Sequence, residues 1–169
     1  YKRLDIGSAK PTAQEQAQAI FHLIDVVEPD VPFSAGDFQK LSQEIIRDIL
    51  NRHRAAIVVG GSGLYVKSAI DGLNLSLPGE NTALRKRLYN MSAWRGVEYV
   101  HRLLQKIDIK SAVNIPAGNL KRVIRAIEIS LGAGRPASEL FAEDSTRPSA
   151  FPNAVFIGLT LPRDVLYKR

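Results

Sequence analysis

The sequence predicts an α/β fold, a parallel sheet core interrupted by an all-helical insertion domain, and three observations predict it. An unbroken apolar run at residues 55–59 (AAIVV) reads as a strand buried on both faces, as in a parallel sheet covered by helices. Gly60, Gly61 and Gly63 follow within four residues and then a helix begins, which puts a glycine turn at the carboxyl end of a strand, where open α/β sheets bind ligands. Beyond residue 80 the pattern changes to short helices with no strand signal until residues 154–161 (AVFIGLTL). The expected domains are therefore an α/β core of residues 1–73 and 151–169, and a helical insertion of residues 74–150.

Taken in order, residues 21–27 (FHLIDVV) suit a strand or a buried extended segment that Pro29 and Pro32 end. Ser34 stands three residues before Asp37 in the capping-box arrangement. Phe38, Leu41, Ile45, Ile46, Ile49 and Leu50 then recur at helical spacing, predicting a helix of about five turns that ends near Arg54. The glycine turn opens the next helix, whose free N–H groups favour an anion or polar substrate, although turn geometry alone can also require glycine there. It is not a Walker A loop, because no Gly-Lys-Ser/Thr follows. Residues 71–80 (DGLNLSLPGE) read as a polar linker, and helices are expected at 82–91, 96–107, 119–131 and 136–141.

The helix at 119–131 gives the sharpest local pattern. Leu120, Val123, Ile124, Ile127 and Leu131 fall on one face, and Lys121, Arg122 and Arg125 fall within an arc of about 100° on the other. Lys121 and Arg122 occupy the first turn, where the helix dipole disfavours each positive charge by ~0.3–1 kcal/mol. Such a face suits a phosphodiester backbone, and Arg85, Lys86 and Arg87 repeat the placement in another helix.

Composition bounds the function classes. The 169 residues are 45% hydrophobic, enough to bury a core, and carry a net charge of +6. That charge is divided: residues 1–71 hold 8 Lys/Arg and 9 Asp/Glu, whereas residues 82–138 hold 11 basic side chains and 3 acidic ones. A polyanion partner would leave this footprint, and so would a solvated basic face. With no Cys, disulfides and thiolate metal sites are excluded, and His22, His53 and His101 lack ligand spacing. No apolar run reaches the roughly 18 residues of a membrane span, and the start has neither Met nor a signal-peptide core. A soluble, cytoplasmic chain lacking its first residues is expected.

Residues 1–11 (YKRLDIGSAKP), 22–25 (HLID), 33–38 (FSAGDF), 59–65 (VGGSGLY), 121–128 (KRVIRAIE) and 134–136 (GRP) together resemble successive blocks of the tRNA dimethylallyltransferases, in matching order and spacing. The resemblance implies a P-loop NTPase-like core and a helical insertion that grips the anticodon arm of tRNA. The implied reaction moves a dimethylallyl group from dimethylallyl diphosphate to the exocyclic amine of the adenosine adjacent to the anticodon. A catalytic Asp, a P-loop and Mg²⁺ belong to that chemistry. The base and the phosphate cradle are expected to lie before Tyr1, and a further diphosphate-binding arginine beyond Arg169, so this chain alone is expected to be inactive.

By position, the resemblance implies that Ser62 contacts tRNA near the reactive base, that Arg85 is a tRNA contact, and that Lys121, Arg122, Val123, Ile124 and Arg125 form the tRNA-binding helix segment. Gly60, Gly61 and Gly63 become the active-site loop. Asn81 and Thr82 stand where Asp-Pro is usual, and Phe21 where a second His is usual. A monomer without membrane contact is expected. Three alternatives remain open: an adenylate isopentenyltransferase, a non-catalytic RNA-binding module, and, on fold analogy alone, a small-molecule kinase.

Overall fold

All regular secondary structure in residues 1–74 and 77–168, the residues that the computed structural model describes, is helical. Leu75 and Ser76 of the expected linker, and Arg169, lie outside them. In chain order the helices are α1 (Ala13–Gln16), α2 (Ala35–Asn51), α3 (Gly63–Ile70), α4 (Thr82–Arg95), α5 (Val97–Ile107), α6 (Ile109–Asn114), α7 (Leu120–Ala133), α8 (Ala137–Ser145) and α9 (Arg163–Leu166). The chain divides into two compact units, Tyr1–Gly72 with Pro148–Arg169, and Leu73–Arg147.

The expected parallel sheet is absent among the described residues, which corrects the α/β assignment. The reason is that a strand exists only as one side of a hydrogen-bonded ladder. Residues 55–59 alternate as a strand would, with Ala56 and Val58 packed onto the core of their unit, while Ile57 and Val59 are 82% and 87% exposed. Among the described residues nothing pairs with this run, nor with residues 154–161, where Val155, Ile157 and Leu159 are exposed. Residues 21–27 fail differently: Leu23 and Asp25 hold φ of 61° and 56°, left-handed values that break a pleated strand.

In the first unit, α2 begins with the expected capping box. The Asp37 N–H donates to Ser34 Oγ at 3.2 Å, and the Ser34 N–H donates to Asp37 Oδ2 at 2.9 Å. The helix ends at Asn51, three residues before Arg54, and His53 turns the chain through a φ of 55°. α3 packs on α2 because the Tyr65 ring stacks on Phe38 at 4.7 Å between centroids while its hydroxyl donates to Phe33 O at 3.1 Å. Ile46, Ala69 and Ile70 form the small core, flanked by Phe38, Ala56, Val58, Phe151 and Ala154.

The second unit is built around α7. Val123, Ile124, Ala126, Ile127 and Ile129 are buried against Leu88 of α4, Val100 and Leu104 of α5, Ala112 of α6 and Ala137 of α8. Val123, Ile124 and Ile127 are on the apolar face that the periodicity predicts, but burial extends beyond it to Ala126 and Ile129, and Leu131 remains exposed. α4 runs to Arg95 rather than to 91. Gly96 alone then caps the end of α4 and the start of α5, with φ 82° and ψ 160°, a conformation open essentially to glycine only.

α6, which the spacing does not predict, owes its start to Asp108. That buried carboxylate accepts from Ser111 N at 3.0 Å and Ser111 Oγ at 2.6 Å, and also from the Ser138 N–H and hydroxyl, both at 2.7 Å, in the first turn of α8. One side chain thus caps two helices. Burial works against its charge, but the bonds from Ser111 and Ser138 prevail and hold its carboxyl below the usual range.

Pro78 lies so close to α7 that a Cβ at Gly132 would stand 2.6 Å from its ring. Gly132→Ala forces overpacking costing about 1–3 kcal/mol, set against ~1 kcal/mol of improved helix propensity. We expect a net loss of roughly 1 kcal/mol of stability in urea unfolding.

Candidate nucleic-acid interface

Asn119 starts α7 and accepts a long hydrogen bond from the Arg122 N–H at 3.4 Å through Oδ1. Helix geometry leaves the N–H groups of Leu120 and Lys121 without an intrahelical acceptor. Lys121 and Arg122 are exposed and, among the described residues, have no ion-pair partner. Their charges, the free N–H groups and the positive helix end therefore meet at one place, which an anion can occupy. Val123 and Ile124 are buried in the core, backbone included, and the Val123 N–H donates to Asn119 O at 3.0 Å.

Arg85 and Arg125 are placed differently. Both close on Glu128, whose relative exposure is 2%. Arg85 donates from Nε to Glu128 Oε1 at 3.0 Å and from Nη2 to Oε2 at 2.8 Å, while its Nη1 pairs with Glu80 at 2.8 Å. Arg125 Nη1 donates to Glu128 Oε2 at 2.6 Å and to the Gly79 carbonyl at 3.4 Å, and the Asn81 N–H completes the shell at 2.6 Å from Oε1. Burial pushes the Glu128 carboxyl up, but hydrogen bonds from Arg85, Asn81 and Arg125 outweigh it and hold the carboxyl at about 2. The same pairing pushes the Arg85 guanidinium up.

Glu128 is the residue that charge counting along the surface misses. The signal is weak: on the helical wheel it falls at the border between the apolar arc, beside Ile124, and the cationic one, beside Lys121, and once buried there an acid must find donors.

The glycine loop belongs to the other unit. Ser62 is the N-cap of α3, yet its hydroxyl makes no capping bond, the turn being closed by its carbonyl, which accepts from Tyr65 N at 3.0 Å and Val66 N at 3.1 Å. Gly60, Gly61 and Gly63 have no left-handed φ, and a Cβ on any of them would meet nothing within 4 Å. Neither torsion nor packing within the described residues demands glycine there. His101 is structural: its Nε2 lies 2.8 Å from Ile115 O and 3.0 Å from Ala112 O. Among the described residues no group of three or more His, Asp or Glu side chains could hold a metal ion. No helix among them is long and apolar enough to cross a membrane.

The model of the IPP transferase family matches residues 1–169. The chain belongs to that family. Among curated relatives, it is 38% identical to tRNA dimethylallyltransferase 1 of Syntrophotalea carbinolica, covering all of this chain and 53% of that protein. It is 40% identical to the tRNA dimethylallyltransferase of Myxococcus xanthus, covering 99% and 54%. The full-length tRNA isopentenylpyrophosphate transferase of Bacillus halodurans superposes with a TM-score of 0.56 at 40% identity, over 99% of this chain and 50% of that one. The chain thus spans about half the length of the IPP transferases it matches.

Within this member of the family, Glu128 links stability to pH. Its folded pKa lies below the ordinary 4.5, so its contribution, about 3 kcal/mol, is complete above pH 4.5 and is lost as pH falls through about 2. Glu128→Gln should destabilise the chain by about 3–5 kcal/mol at pH 7 and flatten the acid limb of stability against pH, as read by denaturant unfolding.

Proposed function

We propose that the full-length protein transfers a dimethylallyl group from dimethylallyl diphosphate to the exocyclic amine of the adenosine beside the tRNA anticodon. The proposal places it in the cytoplasm as a monomer, and this chain's share of the work is to bind the anticodon arm and present the base. The reading is carried by the match of this chain, over essentially its whole length, to about half of proteins named tRNA dimethylallyltransferase. Lys121 and Arg122 at the start of α7, exposed and without an ion-pair partner among the described residues, support it, because they give that chemistry a place to hold phosphates.

An adenine amine is a weak nucleophile and needs a proton acceptor within hydrogen-bond reach, and the target base must leave its stack to meet the carbon it attacks. Lys121 and Arg122 would fix the backbone while the Ser62 hydroxyl, free of capping duty, would touch the RNA near the extruded base. The proposal keeps Mg²⁺ as the counter-charge of the leaving diphosphate in the full-length protein.

Incubating the full-length protein with dimethylallyl diphosphate, Mg²⁺ and unmodified tRNA should add one prenyl group to that adenosine, read by mass spectrometry of the nucleosides. Unchanged tRNA would sink the reading, and prenylation of AMP in preference to tRNA would replace it with an adenylate isopentenyltransferase. Neutralising Lys121 and Arg122 together should lower the slope of log affinity against log salt by about 2. Ser62→Ala should change stability by less than about 0.5 kcal/mol, since no capping bond is lost, while turnover falls.

A further inference from the structure

The outer face of α4 carries a second cationic surface that the family positions do not include. Ala83, Lys86, Arg87, Asn90, Met91 and Trp94 line a shallow groove along it, at spacings of three and one that make a single helical stripe. α4 contains four cations, Arg85, Lys86, Arg87 and Arg95, and no acid. Arg85 is drawn to Glu80 and Glu128, but Lys86 and Arg87 have no ion-pair partner among the described residues. At the end of the stripe Trp94 is 84% exposed, a large ring that packing does not account for. Arg95 stands 5.5 Å from the centroid of that ring and 4.8 Å from that of Tyr99, so a guanidinium flanks the indole.

We propose that this face binds an unpaired RNA base, with Trp94 as the stacking platform, Lys86 and Arg87 on the flanking phosphates, and the Asn90 amide within reach of the base edge. The chemistry selects the partner. Cations without acids select a polyanion, and an exposed ring beside them selects one with accessible π faces, which a duplex lacks and a single-stranded loop has. An apolar protein partner would leave Lys86 and Arg87 buried without counter-charge. The inference rests on the RNA-binding reading above and adds to it a base-stacking contact on α4.

Trp94 is the sole tryptophan of the chain, so its emission reports on this face alone. Titrating the intact chain with an RNA stem-loop should quench that emission, and a blunt duplex of the same stem should quench it far less. Trp94→Leu should weaken stem-loop binding about ten-fold, with the duplex unaffected, and Trp94→Phe should recover part of the loss. The melting temperature of Trp94→Leu should match the parent's, because the ring is not buried. If Trp94→Leu binds the stem-loop as the parent does while neutralising Lys121 and Arg122 weakens it, the α4 proposal fails and the RNA-binding reading stands. If the parent binds neither RNA, both fail. Equal quenching by poly-glutamate would reassign the face to an acidic protein and overturn the stacking proposal.

Discussion

A carboxylate stays ionised inside a helical core only where donors surround it, and Glu128 imposes that requirement on the whole second unit. Its donors come from three places: the Arg85 side chain on α4, the Asn81 N–H at the cap of α4, and Arg125 one turn earlier on α7. Meeting them fixes the start of α4 against α7. The apolar contacts of Leu88, Val123 and Ile127 supply most of the burial, but burial has no direction, whereas this shell of hydrogen bonds does. Asp108 applies the same constraint to α6 and α8, so two acids set the positions that the hydrophobic residues then fill.

Glu128 also divides the basic surface. Counting charge along residues 82–138 treats all cations alike. The folded unit divides them: Arg85 and Arg125 neutralise a buried acid, whereas Lys121, Arg122, Lys86 and Arg87 keep their charge toward solvent. Availability, rather than number, decides what a polyanion meets, and it depends on where the acids sit.

The sequence was most legible where local rules suffice. The Ser34 and Asp37 capping box, the apolar stripe of α7 and the outer placement of Lys121 and Arg122 all follow from spacing. The shortfalls have physical causes. The run at 55–59 shows strand alternation, yet a ladder depends on a neighbour that no single segment encodes. α6 was invisible because its start is a tertiary cap shared with Ser138. The inward turn of Arg85 and Arg125 depended on an acid hidden among hydrophobic positions, which surface charge counting passes over. The standing of Ser62 and of the three loop glycines was the least legible, since their surroundings within the chain place no demand on them.

The junction at Gly96 extends this logic. An exposed residue with no atom within 4 Å of its missing Cβ would ordinarily accept almost any replacement, since there is nothing to collide with. Here the restriction is carried by rotation about two backbone bonds, and it sets the bend at which α4, with Trp94 near its tip, departs from α5. Mutational tolerance at this elbow is therefore governed by handedness rather than by space, and an inventory of contacts would pass over the one position from which the stacking ring takes its aim.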